Sequence, residues 1–184
     1  MENWLVVGSG GREYVLAQTL AKVSDRQVYV APGNVMMAKL PRVETVAIDE
    51  MAFSELAEFA EKQHIQCTVV GPEQPLSAGI VDYFEAKNLP IFGPNKQAAQ
   101  LESSKTFAKQ MMENSGVPTA SYQEFTDLKS ALTYVQAQQP PLVIKADGLA
   151  AGKGVIIANS TQETTDAVEK LLTAGSKKLL VEDY

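Results

Sequence analysis

Residues 143–158 read VIKADGLAAGKGVIIA, with two lysines and three glycines set between apolar runs. Glycines let a backbone approach a ligand closely and turn amide N–H groups toward an anion, and lysines add positive charge. The chemistry suggested is phosphate binding. The Walker A pattern requires G-x-x-x-x-G-K-[ST] between a strand and a helix. Here the spacing from Gly148 to Gly152 is one residue short, and Gly154 stands where Ser or Thr would bind magnesium. GVIIA then continues as a strand, so the pattern fails on count, chemistry and context. A glycine-rich β-hairpin remains, with Lys145 on its first strand and Lys153 near its tip, able to close over a triphosphate. A plain turn with solvated lysines is the other reading of this stretch taken alone.

Two further stretches carry polar chemistry. In VIKAD, Val143 and Lys145 share one strand face and Ile144 and Ala146 the other, so Lys145 must reach solvent or a ligand. The apolar run ending in Glu182, Asp183 and Tyr184 can offer backbone groups to an adenine edge and carboxylates to a ribose; a frayed, solvated end is the alternative. Near the N-terminus, GSGGRE lies at a strand-to-helix turn, where amide groups at a helix start suit a phosphate. A dinucleotide fingerprint is rejected because Glu13 occupies the third glycine position and the next strand ends in Ala31-Pro32-Gly33-Asn34, without an acid for a ribose hydroxyl. A tight turn needed only for packing is the competing reading.

The elements that must position these groups alternate. Strands are predicted at 4–8, 27–31, 66–71 and 89–93, and helices at 11–22, at 53–63 behind a Ser54 cap, and from Pro75 to Phe84. Strands that are apolar throughout indicate a parallel sheet covered on both faces. Beyond Gly93-Pro94 the pattern changes. Helices are expected at 95–102 and 103–116, a strand within 117–125 and a helix at 127–138. Strands at 141–148 and 154–160, a helix at 161–174 and a strand at 177–184 complete the order. Phe107, Met111 and Met112 read as a core stripe, and His64 and Cys67 as packing or surface positions.

The 184 residues suit one large or two small domains, and 45% hydrophobic with 21% charged residues is an ordinary globular composition. A formal net charge of −6 argues against nucleic acid and anionic membranes as partners. No apolar run approaches the roughly 20 residues of a membrane span. The N-terminal stretch does not resemble a signal peptide. With Cys67 as the one cysteine, neither an internal disulfide nor a cysteine metal cluster is expected. A cytoplasmic location is the expectation.

VIKADGLAAGKGV, preceded by LESSKTFAKQMM and GVPTASY, resembles the ATP-grasp ligases, and more narrowly the phosphoribosylamine–glycine ligase family of purine biosynthesis. VVGSGGRE, VAPGN, VVGPEQPLSAGIVDYF and IFGP match that family in order and spacing. The resemblance implies an α/β chain. A Rossmann-like parallel-sheet domain (pre-ATP-grasp) would occupy residues 1–102. The first, smaller α+β subdomain of an ATP-grasp fold would occupy 103–184. It implies a ligase that uses ATP to activate glycine as an acyl phosphate, which the amine of phosphoribosylamine attacks. Lys105, Lys145, Asp147, Gly148, Gly152, Lys153 and Gly154 would surround the ATP phosphates, and Glu182, Asp183 and Tyr184 would form the adenine-reading hinge. Gly10, Gly11, Arg12, Glu13, Gly33, Asn34, Glu73 and Pro75 would serve phosphoribosylamine. No catalytic residue and no metal ligand is assigned; Mg²⁺ is expected for the complete enzyme.

The sequence departs from the family pattern in three ways. Tyr14 replaces the usual histidine after GGRE, and Val35-Met36 replace small residues after Gly33-Asn34, which adds bulk near the implied phosphoribosylamine pocket. The family enzyme is more than twice as long, so these 184 residues are expected to be an N-terminal portion with little or no turnover alone. A C-terminal half supplied in trans, or a second copy of the chain, is the partner this implies. A degenerate, non-catalytic nucleotide- or phosphoribosyl-binding module is the alternative, and a carboxylase-type relative of the same pathway is a third.

Overall fold

The computed structural model describes residues 2–149 and 154–184, which fall into two compact units, 1–99 and 100–184. In the first, the order is β1 (Glu2–Gly8), α1 (Gly11–Leu20), β2 (Arg26–Pro32), a single 3-10 turn (Met37–Lys39) and β3 (Val43–Thr45). It continues with α2 (Phe53–Lys62), β4 (Ile65–Val70), α3 (Glu73–Ala78), α4 (Ile80–Glu85) and β5 (Ile91–Phe92). The strands pair in parallel in the order β3-β2-β1-β4-β5. Leu5 and Val7 of β1 join a buried cluster with Leu56 of α2 and Phe84 of α4. Val6, one residue out of phase, joins Val28, Val30 and Ala17 of α1 on the other side. Burial on both faces is why β1 is an unbroken apolar run.

The second unit holds α5 (Gln100–Ser103), α6 (Lys105–Asn114), β6 (Tyr122–Phe125), α7 (Leu128–Gln136), β7 (Leu142–Ala146), β8 (Val155–Ala158), α8 (Thr161–Thr173) and β9 (Leu179–Asp183). Its antiparallel sheet runs β6-β9-β7-β8. Ser104, Asp127 and Ser160 cap α6, α7 and α8, each accepting from the amide three residues on, which satisfies donors that a helix start leaves unpaired. Ala131, Val135, Ala167, Val168 and Leu171 of α7 and α8 pack on Leu142, Ile144, Leu179 and Val181. One sheet face is thereby covered. Together the units make the expected α/β architecture, a parallel Rossmann-like sheet followed by a smaller α+β unit.

Several local expectations are corrected. Strand β3 was not anticipated; it is three residues long and only Val43 is buried, too little for an apolar signal. The helix expected from Pro75 to Phe84 starts at Glu73, places Pro75 third, and breaks at Gly79, whose φ of 99° is left-handed. Helix α2 is entered from Ala52, while the Ser54 hydroxyl donates to Glu58 Oε1 at 3.3 Å. Helix within 95–102 is confined to its end, and the strand in 117–125 begins only at Tyr122.

Glu13 explains three glycines at once. It is 3% exposed, and its Oε2 accepts from the Gly10 amide at 2.7 Å, the glutamate half of a capping box, at the start of α1. A Cβ on Gly8 would lie 2.6 Å from Glu13 Cγ, on Gly10 2.9 Å from Oε2, and on Gly71 1.9 Å from Oε1. The turn after β1 and the turn after β4 therefore close around one carboxylate. Gly71→Ala is expected to destabilise the protein by about 1–3 kcal/mol, the scale of overpacking, with partial recovery when Glu13→Ala is added. Urea unfolding of the two variants checks this; a neutral Gly71→Ala would contradict it.

Candidate functional site

In the first unit the implied sugar-phosphate residues gather at the carboxyl ends of β1, β2 and β4. In open α/β sheets, this is the edge where ligands bind, at the point where strand order reverses. Gly10 and Gly11 start α1, whose first amides have no partner within the helix. The Gly10 amide is itself taken by Glu13, so packing accounts for part of GSGGRE. The Asn34 side chain amide donates to Ser9 O at 2.8 Å, and its Oδ1 accepts from the Met36 and Met37 amides. Gly33 donates to Gly8 O at 3.1 Å and has a φ of 67°. Gly33-Asn34 thus clamps the loop after β1. Pro75 is buried in α3.

Arg12 pairs with Glu73 at 2.9 Å on an exposed rim. Glu73 begins α3, and its own backbone amide, then Arg12, hold its carboxyl below the ordinary value of 4.5. It is therefore an ionised acceptor at neutral pH. Glu50 was not foreseen: burial, then Asp49, Glu13 and Glu73, push its carboxyl up. Tyr14 is partly buried against the Val6–Ala17–Met37 cluster, and Val35 and Met36 are exposed beside the Asn34 clamp.

In the second unit, β7 and β8 form the expected hairpin, Lys145 opposite Val155 and Val143 opposite Ile157. Gly152 and Lys153 lie outside the described residues. Ile144 and Ala146 face the core, and Val143 and Lys145 the other side. There Lys145 Nζ donates to Glu182 Oε2 at 2.6 Å, an outcome that neither solvent nor ligand described. On the neighbouring strand Val143 pairs with Glu182 and Lys145 with Leu180. On the same sheet face, exposed Val155 sits across from Lys145 and exposed Ile157 across from Val143. The result is an apolar platform beside an ion pair.

Glu182 is 4% exposed, and its Oε2 also lies 3.1 Å from Lys109 Nζ. Its Oε1 is buried and has no hydrogen-bond partner among the described residues, an acceptor that costs energy unless a donor arrives. Asp183 and Tyr184 are exposed, and the Asp183 amide donates to Ser121 O at 3.1 Å. Asp147 is committed to the start of α6: its Oδ1 accepts from the Lys105 amide at 2.6 Å, and its Oδ2 from Ser104 Oγ at 3.2 Å. Lys105 Nζ donates to Gly148 O at 2.9 Å, and buried Gly154 accepts from the Ala146 amide at 2.7 Å. Lys105, Asp147 and Gly148 thus bind α6 to the hairpin.

Lys109 is the residue that the sequence reading missed. The expected core stripe on α6 is corrected: Met111 is exposed, and the buried positions are Thr106 and Lys109. Their three-residue spacing puts them on one helix face, which is the signal that could have found them. An open cleft lined by Asp147, Gly148, Leu149 and residues 174–178 contains neither Lys145 nor Glu182. Among the described residues, no group of three or more His, Cys, Asp or Glu is placed to hold a metal, and no helix is long and apolar enough to cross a membrane.

The fold is that of the ATP-grasp ligases. A biotin carboxylase from Campylobacter jejuni, solved as a β,γ-ATP complex, superposes with a TM-score of 0.78 at 19% identity, over 100% of this chain and 45% of that one. Residues 2–102 match the N domain of phosphoribosylglycinamide synthetase, and residues 103–184 match its ATP-grasp (A) domain. The chain belongs to the phosphoribosylglycinamide synthetase family. It is 48% identical over 187 aligned residues to the phosphoribosylamine–glycine ligase of Pseudomonas syringae pv. tomato, covering 98% of this chain and 43% of that protein. The phosphoribosylamine–glycine ligase of Thermotoga maritima superposes with a TM-score of 0.73 at 28% identity, over 99% of this chain and 44% of that one. The chain therefore spans under half the length of the relatives it matches.

A pH prediction follows from Glu73. A carboxyl held low in the fold contributes stability that is present above its unfolded value and lost as pH falls through the folded one. The wild type should lose this contribution below about pH 4.5. Being exposed, the pair is worth no more than about 1 kcal/mol. Glu73→Gln should lack that acid-dependent loss, as denaturant midpoints from pH 7 down to pH 3 would show; identical pH profiles would contradict it.

Proposed function

We propose that this chain forms part of a phosphoribosylamine–glycine ligase, supplying a sugar-phosphate site and much of a nucleotide site. The observation that carries the reading is the pairing of Lys145 with Glu182 beside exposed Val155 and Ile157. That combination fits a purine nucleotide. The unpartnered Glu182 Oε1 accepts the exocyclic amine of adenine, the apolar side chains cover the base, and Lys145 and Lys105 provide cations for the phosphates. ATP, with Mg²⁺, supplies the phosphoryl group that activates the glycine carboxylate. Glycines 148, 152 and 154 and Lys153 complete the phosphate side, and Asp183 and Tyr184 continue the hinge. Asp147 acts by holding the start of α6 against the loop.

In the first unit, Gly10, Gly11 and the start of α1 receive the 5-phosphate, and the Gly33-Asn34 clamp shapes the loop around it. Glu73, kept ionised by its backbone amide and Arg12, accepts from ribose hydroxyls or the amine. Glu13 fixes the glycine turns, and Pro75 anchors α3. The 184 residues are proposed to bind ligands without turning over, because they span 43% of a relative's length. The remainder of the catalytic machinery would come from further chain, in cis or in trans. A cytoplasmic setting accords with this role. Exposed Val35 and Met36 at the clamp favour one second reading, a binding module that no longer accepts phosphoribosylamine.

Calorimetry on the 184-residue chain tests the proposal. ATP and ribose 5-phosphate should each bind at millimolar concentration or below, without glycine-dependent ADP release. Lys145→Ala should abolish the ATP signal and leave ribose 5-phosphate unaffected. ATP binding without ribose 5-phosphate binding would favour the module; failure of both ligands would refute the reading.

A further inference from the structure

Lys109 has no part in the site as assigned from the sequence, yet it is among the most completely enclosed charges described. It is 6% exposed, and its Nζ donates to Thr119 Oγ1 at 2.8 Å and to Ala120 O at 2.9 Å. Its third neighbour is Glu182 Oε2, 3.1 Å away. The same oxygen accepts from Lys145 at 2.6 Å. One carboxylate oxygen is thus shared by two ammonium groups with unequal freedom. Lys109 is tied by the strand-leading segment at Thr119 and Ala120. Among the described residues Lys145 pairs with Glu182 alone, and its side chain is 26% exposed.

We infer that Lys109 is a positioning residue that keeps the Glu182 carboxylate compensated when Lys145 moves to a polyphosphate. This rests on the proposed nucleotide site. A buried carboxylate cannot be left uncompensated without a large penalty. If Lys145 were its only partner, drawing that lysine to phosphate would strand the charge, and phosphate binding would have to offset the loss. With Lys109 fixed on the same oxygen, Lys145 is free to exchange partners. The effect is confined to ligands that carry phosphates, because without them Lys145 stays on Glu182 and the carboxylate remains compensated.

The test compares ATP with adenosine, which lacks the phosphates. In Lys109→Met, ATP affinity should fall by about tenfold, within the usual range of coupling between linked sites, while adenosine affinity changes by less than about twofold. Lys109→Arg should restore ATP binding. Thr119→Val, which loosens Lys109 without removing its charge, should give an intermediate loss and keeps the test available if Lys109→Met does not fold. In a Glu182→Gln background, with no charge to compensate, Lys109→Met should no longer weaken ATP binding selectively. Equal losses for ATP and adenosine, or unchanged ATP binding in Lys109→Met and Thr119→Val, would overturn the inference while leaving the nucleotide site standing. No ATP binding by the wild type would overturn the site itself.

Discussion

The Glu182 carboxylate, shared between Lys109 and Lys145, is the interaction on which the nucleotide site proposed for the second unit depends. It joins α6, β7 and β9 within that unit, and it does so on the sheet face that α7 and α8 leave uncovered. Charges this enclosed are kept where they are paired, and even then they seldom add much to stability compared with an apolar core. Their presence in place of leucines points toward function. An apolar trio at these positions would pack well and bind nothing anionic.

The same economy of parts marks the first unit. Glu13 occupies space that three glycines leave open, and so the turns after β1 and β4 are held in one arrangement by a buried side chain. Asn34 then ties the loop after β2 to Ser9. Three loops at the carboxyl edge of a parallel sheet are fixed by side chains of the protein before any ligand is present. Preorganisation of this kind lowers the ordering cost of binding. The glycines of GSGGRE serve packing around Glu13, and that role is compatible with the proposed phosphate site.

Much of this was legible in the sequence because the relevant signals were local. Apolar runs at β1 and β4, alternation in VIKAD and the failure of the Walker A spacing all follow from neighbouring residues. The family motifs pointed to the residues that line each proposed site. What escaped notice depended on long-range contact. Lys109 meets Glu182 across 73 positions of sequence, as their numbers show, and a lysine on an amphipathic helix ordinarily reads as solvated. Strand β3 is too short to generate a pattern, and the left-handed break at Gly79 turns one apparent helix into two. Asp147 read as a ligand for nucleotide because it stands in the motif, while its oxygens are engaged by the start of α6.

The central claim is that Lys145, and not Lys109, leaves Glu182 for a polyphosphate. Nuclear magnetic resonance of the lysine ε-methylene groups during ATP titration addresses it directly, with resonances assigned through Lys145→Arg and Lys109→Arg. The account predicts a saturable shift of the Lys145 signal with the Lys109 signal little changed, and the same response to tripolyphosphate but not to adenosine. A Lys109 signal that moves while Lys145 stays fixed, or a Lys145 signal that ignores both phosphate ligands at saturating concentration, would contradict it.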